Sequence, residues 1–206
     1  MSLFSITDIA VPTFEPRKRT RARRKQGRST PGTEGDVPVR VQRVAALLPM
    51  ELHPGQSLHL VSAGEWSNYD LIESLLRYFP EPPALYLATW SSSDSAVRQL
   101  ARLRTEGRVS ALHSIMDHHA AQQRTDGAAY LQGVSDTYGT TGIHAKVAVL
   151  ISSTVGITVI GSANLTTNPR IEAGVITHDL TVARFHAQWI TDAITQGGLF
   201  DATQAR

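Results

Sequence analysis

Cysteine is absent from this 206-residue chain, so neither a disulfide nor a thiolate-ligated metal site can form. No apolar run approaches the roughly 18 residues of a membrane-spanning helix, which excludes one on composition. The first residues, MSLFSITDIAVPTF, have no basic stretch ahead of a long apolar one, so they do not read as a secretory signal, and a cytoplasmic location is expected. No internal repeat is visible. Lysine is scarce: after Lys25 only Lys146 occurs, in a chain that otherwise uses arginine for positive charge.

Acid is missing from residues 17 to 28, RKRTRARRKQGR, which hold Arg17, Lys18, Arg19, Arg21, Arg23, Arg24, Lys25 and Arg28, 8 of the 20 basic residues. The remainder has 12 basic residues against 18 acidic ones, a balance of −6 beneath an overall charge of +2. This is a basic tail on a mildly acidic body. Such a run repels itself and contains nothing apolar, so a disordered basic N-terminal tail is expected. STPGTEGDVP follows with the composition of a linker. Residues 1–45 therefore read as an extension, with Leu3, Phe4, Ile6, Ile9 and Val11 as a short apolar segment at its start. Residues 46–206 read as one domain, whose 41% hydrophobic content supports a packed core.

Within that domain, strand and helix patterns alternate. SLHLVSAG (57–64), ALYLATW (84–90) and VSALHSIM (109–116) are short apolar runs ending in turn residues, as buried strands do. Residues 67–78 carry Leu71, Ile72, Leu75 and Leu76 at helical spacing behind a Ser67 or Asn68 cap. Residues 93–107 form a second amphipathic helix, with Val97, Leu100 and Leu103 inward. Residues 117 to about 137 read as helical. IHAKVAVLI, GITVIGSAN and EAGVITHD then read as consecutive strands. TVARFHAQWITDAI closes as a helix with Val182, Phe185, Trp189 and Ile194 on one side. The order predicts an α/β sandwich around a mixed sheet.

The chemistry gathers between residues 142 and 174. Alternation in IHAKVAVL sets Ile143, Ala145 and Val147 on one side and His144, Lys146 and Ala148 on the other. The next strand ends in Gly161-Ser162-Ala163-Asn164, where a glycine permits a turn and two short polar side chains can point back. Imidazole, ammonium, hydroxyl and amide together suit an anion with several oxygens, such as a phosphodiester. A slender ammonium fits beside an imidazole where a broad guanidinium does not.

This arrangement resembles the phospholipase D superfamily, whose signature is His-x-Lys, four residues, Asp, then Gly-Ser-x-Asn and a downstream Glu. The matching residues are His144, Lys146, Gly161, Ser162, Asn164 and Glu172, and the single motif resembles that of small bacterial or phage endonucleases of the group. The resemblance implies a phospholipase D-like α-β-α sandwich and a phosphodiesterase that needs no cofactor and no metal. It also implies a histidine nucleophile forming a phosphohistidine, with a second histidine as acid and then base. Lys146 and Asn164 would bind phosphate, Ser162 would assist, and Glu172 would orient a histidine. With one motif per chain, the second histidine has to come from another copy, so a homodimer sharing its active site is implied. One departure stands out: the signature Asp falls at Ile151.

Around that core, Trp66 and Trp90 each follow the end of an expected parallel strand, the edge where α/β folds place their sites, and are candidates for stacking on a base or sugar. Arg170 is a candidate phosphate contact. His118 and His119 after Asp117 read as an exposed helix start rather than a metal site, because adjacent helical residues do not converge. His113 and His186 read as packing or surface residues, and His178-Asp179 as a turn. The basic tail points to nucleic acid, making a nuclease the expected activity. A lipid phosphodiesterase, and a catalytically inactive nucleic-acid-binding or virion-associated protein of the same fold, remain the alternatives.

Overall fold

In the computed structural model the described residues are 39–64, 66–122, 126–166 and 170–196. The tail arginines and lysines and the apolar segment from Leu3 to Val11 lie outside them. The compact unit begins at Val39. Its first element, α1 (Val39–Leu47), includes residues grouped above with the extension, and Val44 and Leu48 are buried in the core.

The chain continues through β1 (Ser57–Ser62), α2 (Asn68–Leu75) with a 3₁₀ turn over Leu76–Tyr78, β2 (Ala84–Thr89), α3 (Asp94–Thr105) and β3 (Ala111–Asp117). It then runs through α4 (His118–Gln122), α5 (Asp126–Val134), β4 (Thr137–Thr141), β5 (Val147–Ile151), β6 (Gly156–Gly161), β7 (Glu172–His178) and α6 (Leu180–Gln196). The strands form one seven-stranded mixed sheet in the order β1-β7-β6-β5-β2-β3-β4. β2, β3 and β4 are parallel, and every other neighbouring pair is antiparallel. One face packs on α1, α2, α3 and α5 through Leu75, Leu100, Leu112, Leu131 and Leu150; the other packs on α6. This is the α-β-α sandwich around a mixed sheet expected from the sequence.

Local sequence explains the elements. Ser67 caps α2 reciprocally: its hydroxyl accepts from the Asp70 amide, and Asp70 accepts the Ser67 amide at 2.6 Å. Ser93 caps α3, and Val97, Leu100 and Leu103 face inward as expected. Beneath α2, Glu73 takes Arg102 and Arg108, each at 2.8 Å, and the Tyr69 hydroxyl at 2.5 Å. Burial first, and the hydrogen bond to Glu73 second, push the Tyr69 phenol well above its usual pKa.

Several expectations are corrected. Residues 117–137 are two helices, and residues 137–141 form an edge strand, β4, parallel to β3. Its sequence TYGTT lacks the apolar alternation that would mark it, because only the inner strands need a fully buried face. The strand ending before Trp66 is antiparallel to β7, where a parallel one was expected. On α6 the core face is Ala183, Ala187, Ile190 and Ala193, whereas Phe185 is 67% exposed. The helix lies too close to β6 for a large ring: a Cβ on Gly156 would stand 2.6 Å from the Ala183 Cβ.

Candidate functional site

The strand ends β2, β5 and β6 and the start of β7 bring the polar residues of 142–174 to one edge of the sheet. Residues 142–146 precede β5 instead of lying in it, which corrects the expectation that His144 and Lys146 sit on a strand. The alternation nevertheless holds. Ile143 and Ala145 pack toward α6, while Lys146 shares the side of Ala148 and Leu150. His144 is exposed and Lys146 is only 8% exposed, so an open imidazole lies two residues from a nearly enclosed lysine.

Lys146 Nζ donates to the His144 carbonyl at 2.7 Å. Burial lowers the Lys146 pKa from its ordinary value, and the carboxylates of Glu172 and Asp117 oppose that shift. The ammonium thus feels two carboxylates without pairing with either among the described residues, and is left with its carbonyl partner alone.

Gly161 ends β6, and its amide donates to the Lys146 carbonyl at 3.1 Å. The glycine is required by close approach and not by a turn, since a Cβ there would lie 2.9 Å from the Ala173 carbonyl oxygen. Ser162 Oγ donates to the Glu172 carboxylate and accepts from the Ala173 amide at 3.0 Å. Glu172 therefore holds the hydroxyl, and no hydrogen bond joins it to His144 of the same chain among the described residues. Asn164 is half-buried, and its Oδ1 has no partner among the described residues. The loop bearing it is fastened to the loop after β2 by Leu165, whose amide donates to Ser91 at 3.2 Å and whose carbonyl accepts from Ser93 at 2.8 Å.

That fastening brings Trp90, 37% exposed, to the site, with its ring centroid 6.4 Å from that of His144. Trp66 lines a small cleft with Asn68, Gly161, Ala163 and Glu172, and its Nε1 has no partner among the described residues. Arg170 is exposed at the mouth of β7 and makes no ion pair among the described residues. His118 and His119 open α4 with their rings 4.0 Å apart. Among the described residues, no group of three His, Cys, Asp or Glu could hold a metal ion. His113 stacks on Tyr86, His186 accepts the Trp189 indole at 2.9 Å, and Asp179 caps α6. No described helix is long and apolar enough to cross a membrane.

Two buried polar residues went unread as part of this edge. Asn68 donates from Nδ2 to the Ala163 carbonyl at 3.4 Å. Asp117, 6% exposed at the end of β3, accepts the Ile143 amide at 3.2 Å. Its signal was an acid closing an apolar strand just before a helix, which is a capping position.

Ile151, where the signature places Asp, is the last residue of β5 and pairs with Ala84 and Gly156. It lies five residues from Lys146, roughly 16 Å along a strand rising about 3.3 Å per residue.

A mixed sheet between two helical layers, with His144, Lys146, Asn164 and Glu172 at one strand edge, defines a phospholipase D-like fold. The comparison with solved structures agrees. The chain superposes on Nuc, a phospholipase D family member from Salmonella typhimurium, with a TM-score of 0.54 and 19% identity over 69% of this chain and 97% of that one. It also superposes on polyphosphate kinase from Porphyromonas gingivalis at a TM-score of 0.50 and 14% identity, over 71% of this chain but 27% of the kinase. No protein-family model and no curated protein matches the sequence.

Proposed function

We propose that this chain is a metal-independent phosphodiesterase that hydrolyses nucleic acid through a phosphohistidine, acting as a homodimer. The observation that carries the reading is the exposed His144 two residues from the enclosed Lys146, with Asn164 and the Ser162–Glu172 pair at the ends of the following strands.

In the first step a His144 ring nitrogen attacks phosphorus, and the P–O bond to the leaving group breaks as that oxygen takes a proton from His144 of a second copy. In the second step water attacks phosphorus, the P–N bond breaks, and the water's proton returns to the second imidazole. Lys146 and Asn164 neutralise the non-bridging oxygens in both steps. Trp90 supplies an aromatic face beside the scissile phosphate, and Trp66 lines the adjoining cleft. Arg170 and the eight basic tail residues add phosphate contacts that give affinity without sequence choice, so binding weakens steeply with salt.

The test is a phosphate-labelled oligonucleotide turned over in EDTA and quenched in acid. Acid-labile label on the protein, absent in His144→Ala, supports the reading. Plasmid DNA, single-stranded DNA, RNA and phosphatidylcholine run in parallel separate the substrates. Cleavage of the lipid alone rejects the nuclease, and silence on every diester rejects the enzyme.

A further inference from the structure

The segment carrying the nucleophile lies outside the sheet ladder, so something else must fix it. Its C-terminal half is tied to β6 through the Lys146 carbonyl and Gly161 amide, and internally by Lys146 Nζ on the His144 carbonyl. Its N-terminal half is tied to a different strand. Ile143, the residue before His144, donates its amide to Asp117 Oδ2 at 3.2 Å. The other oxygen of Asp117 accepts the amides of His119 at 3.0 Å and Ala120 at 3.2 Å.

We propose that Asp117 is the positioning residue of this site: its carboxylate anchors Ile143 and thereby sets where the His144 imidazole stands relative to Lys146. The inference rests on the phosphodiesterase reading and assigns a role that the sequence signature does not include. A carboxylate is required, because both oxygens accept backbone N–H groups; an amide in either orientation would turn its own NH₂ against one of them. Burial of Asp117 strengthens the anchor, since the carboxylate does not find water as an easy substitute. The charge also offsets the burial of Lys146, so one residue serves both the place of the nucleophile and the charge of its neighbour. Misplacement by about 1 Å is enough to cost a hundredfold in rate.

Three variants decide it: Asp117→Asn, His119→Pro and, should the first not fold, Asp117→Ser. His119→Pro removes one amide donor at an exposed first-turn position and leaves the Ile143 bond intact. Kinetics use bis(p-nitrophenyl) phosphate in EDTA, normalised to folded protein, alongside hydrogen exchange at the Ile143 amide. Asp117→Asn is expected to lower kcat by about thirtyfold or more with KM within about threefold, and to speed Ile143 exchange, while His119→Pro keeps kcat within about twofold. Wild-type kcat in Asp117→Asn, or an equal loss in His119→Pro, would overturn the proposal and leave Asp117 as a helix cap. A wild type silent on every diester would overturn the phosphodiesterase reading itself. The Ile143 exchange rate then still shows whether Asp117 anchors the segment.

Discussion

Replacing Lys146 by methionine separates function from stability, because the proposed function asks for its ammonium and the fold gains little from it. The substitution keeps the length and apolar stem and removes the ammonium. Lost on the folded side is one charge-assisted hydrogen bond to the His144 carbonyl, about 1.5–3 kcal/mol, together with attraction to Glu172 and Asp117. Gained is relief from desolvating an ion at a position 8% exposed, an opposing term of several kcal/mol. The two nearly cancel, leaving about 1 kcal/mol of either sign and a Tm change under about 5 °C for a domain of this size. Turnover has no such compensation. Removing a preorganised donor at the developing charge costs about a hundredfold to a thousandfold in kcat.

The pH dependence has a definite sign. The folded pKa of Lys146 lies below its unfolded value, so the charged lysine opposes folding at neutral pH. That cost is relieved as pH rises through the folded pKa toward the unfolded one, and Lys146→Met should flatten this rise. The wild-type basic limb of kcat should likewise fall below the 10.5 of an ordinary lysine. The assay is diester hydrolysis in EDTA with parallel thermal melts. Retention of more than about a tenth of the activity, or a Tm loss beyond about 10 °C, would refute the reasoning and make Lys146 a structural cation.

Mixed dimers of wild type and His144→Ala should lose nearly all activity if two copies share one site; half the activity, measured with tagged heterodimers, would mean separate sites. Trp90→Ala should raise KM for a single-stranded oligonucleotide by about five- to a hundredfold, the equivalent of about 1–3 kcal/mol of base stacking, while KM for an activated diester without a base is unchanged. Glu73→Ala should cost about 1–3 kcal/mol in urea unfolding, because it leaves the buried Tyr69 hydroxyl without its acceptor while Arg102 and Arg108, both partly exposed, turn to solvent. Activity per folded molecule should survive Glu73→Ala, since this cluster belongs to the helices beneath the sheet and not to its active edge.

How much was legible follows from which interactions sequence spacing can carry. His144, Lys146, Ser162, Asn164 and Glu172 stood out because polar residues punctuated otherwise apolar runs on either side of the short β5–β6 hairpin. The inward faces of α2 and α3 were legible because leucine and valine repeat at helical spacing. The α6 face was not, because alanines admit the helix to β6 while the bulkier Phe185 points to solvent. β4 escaped because an edge strand of threonine, tyrosine and glycine carries no alternating pattern. Asp117 escaped for a deeper reason. Its partner is the backbone amide of Ile143, 26 residues away, and a backbone amide leaves no trace in side-chain identity.

Ile151, which a signature read letter by letter would count against the site, closes β5 away from Lys146. An acid at the far end of β5 could neither touch the phosphate nor reach Lys146, and in this chain that end packs apolar side chains beneath α6. The charges that act on Lys146 come from elsewhere: Glu172 opening β7 and Asp117 closing β3, which approach the ammonium from both sides of the strand that follows it. A position remote from the chemistry can change its residue type when the fold satisfies it locally. A buried cation at the site must find its counter-charges wherever the topology brings strand ends together. The field of two carboxylates at Lys146 is therefore a better guide to this edge of the sheet than the letter at position 151.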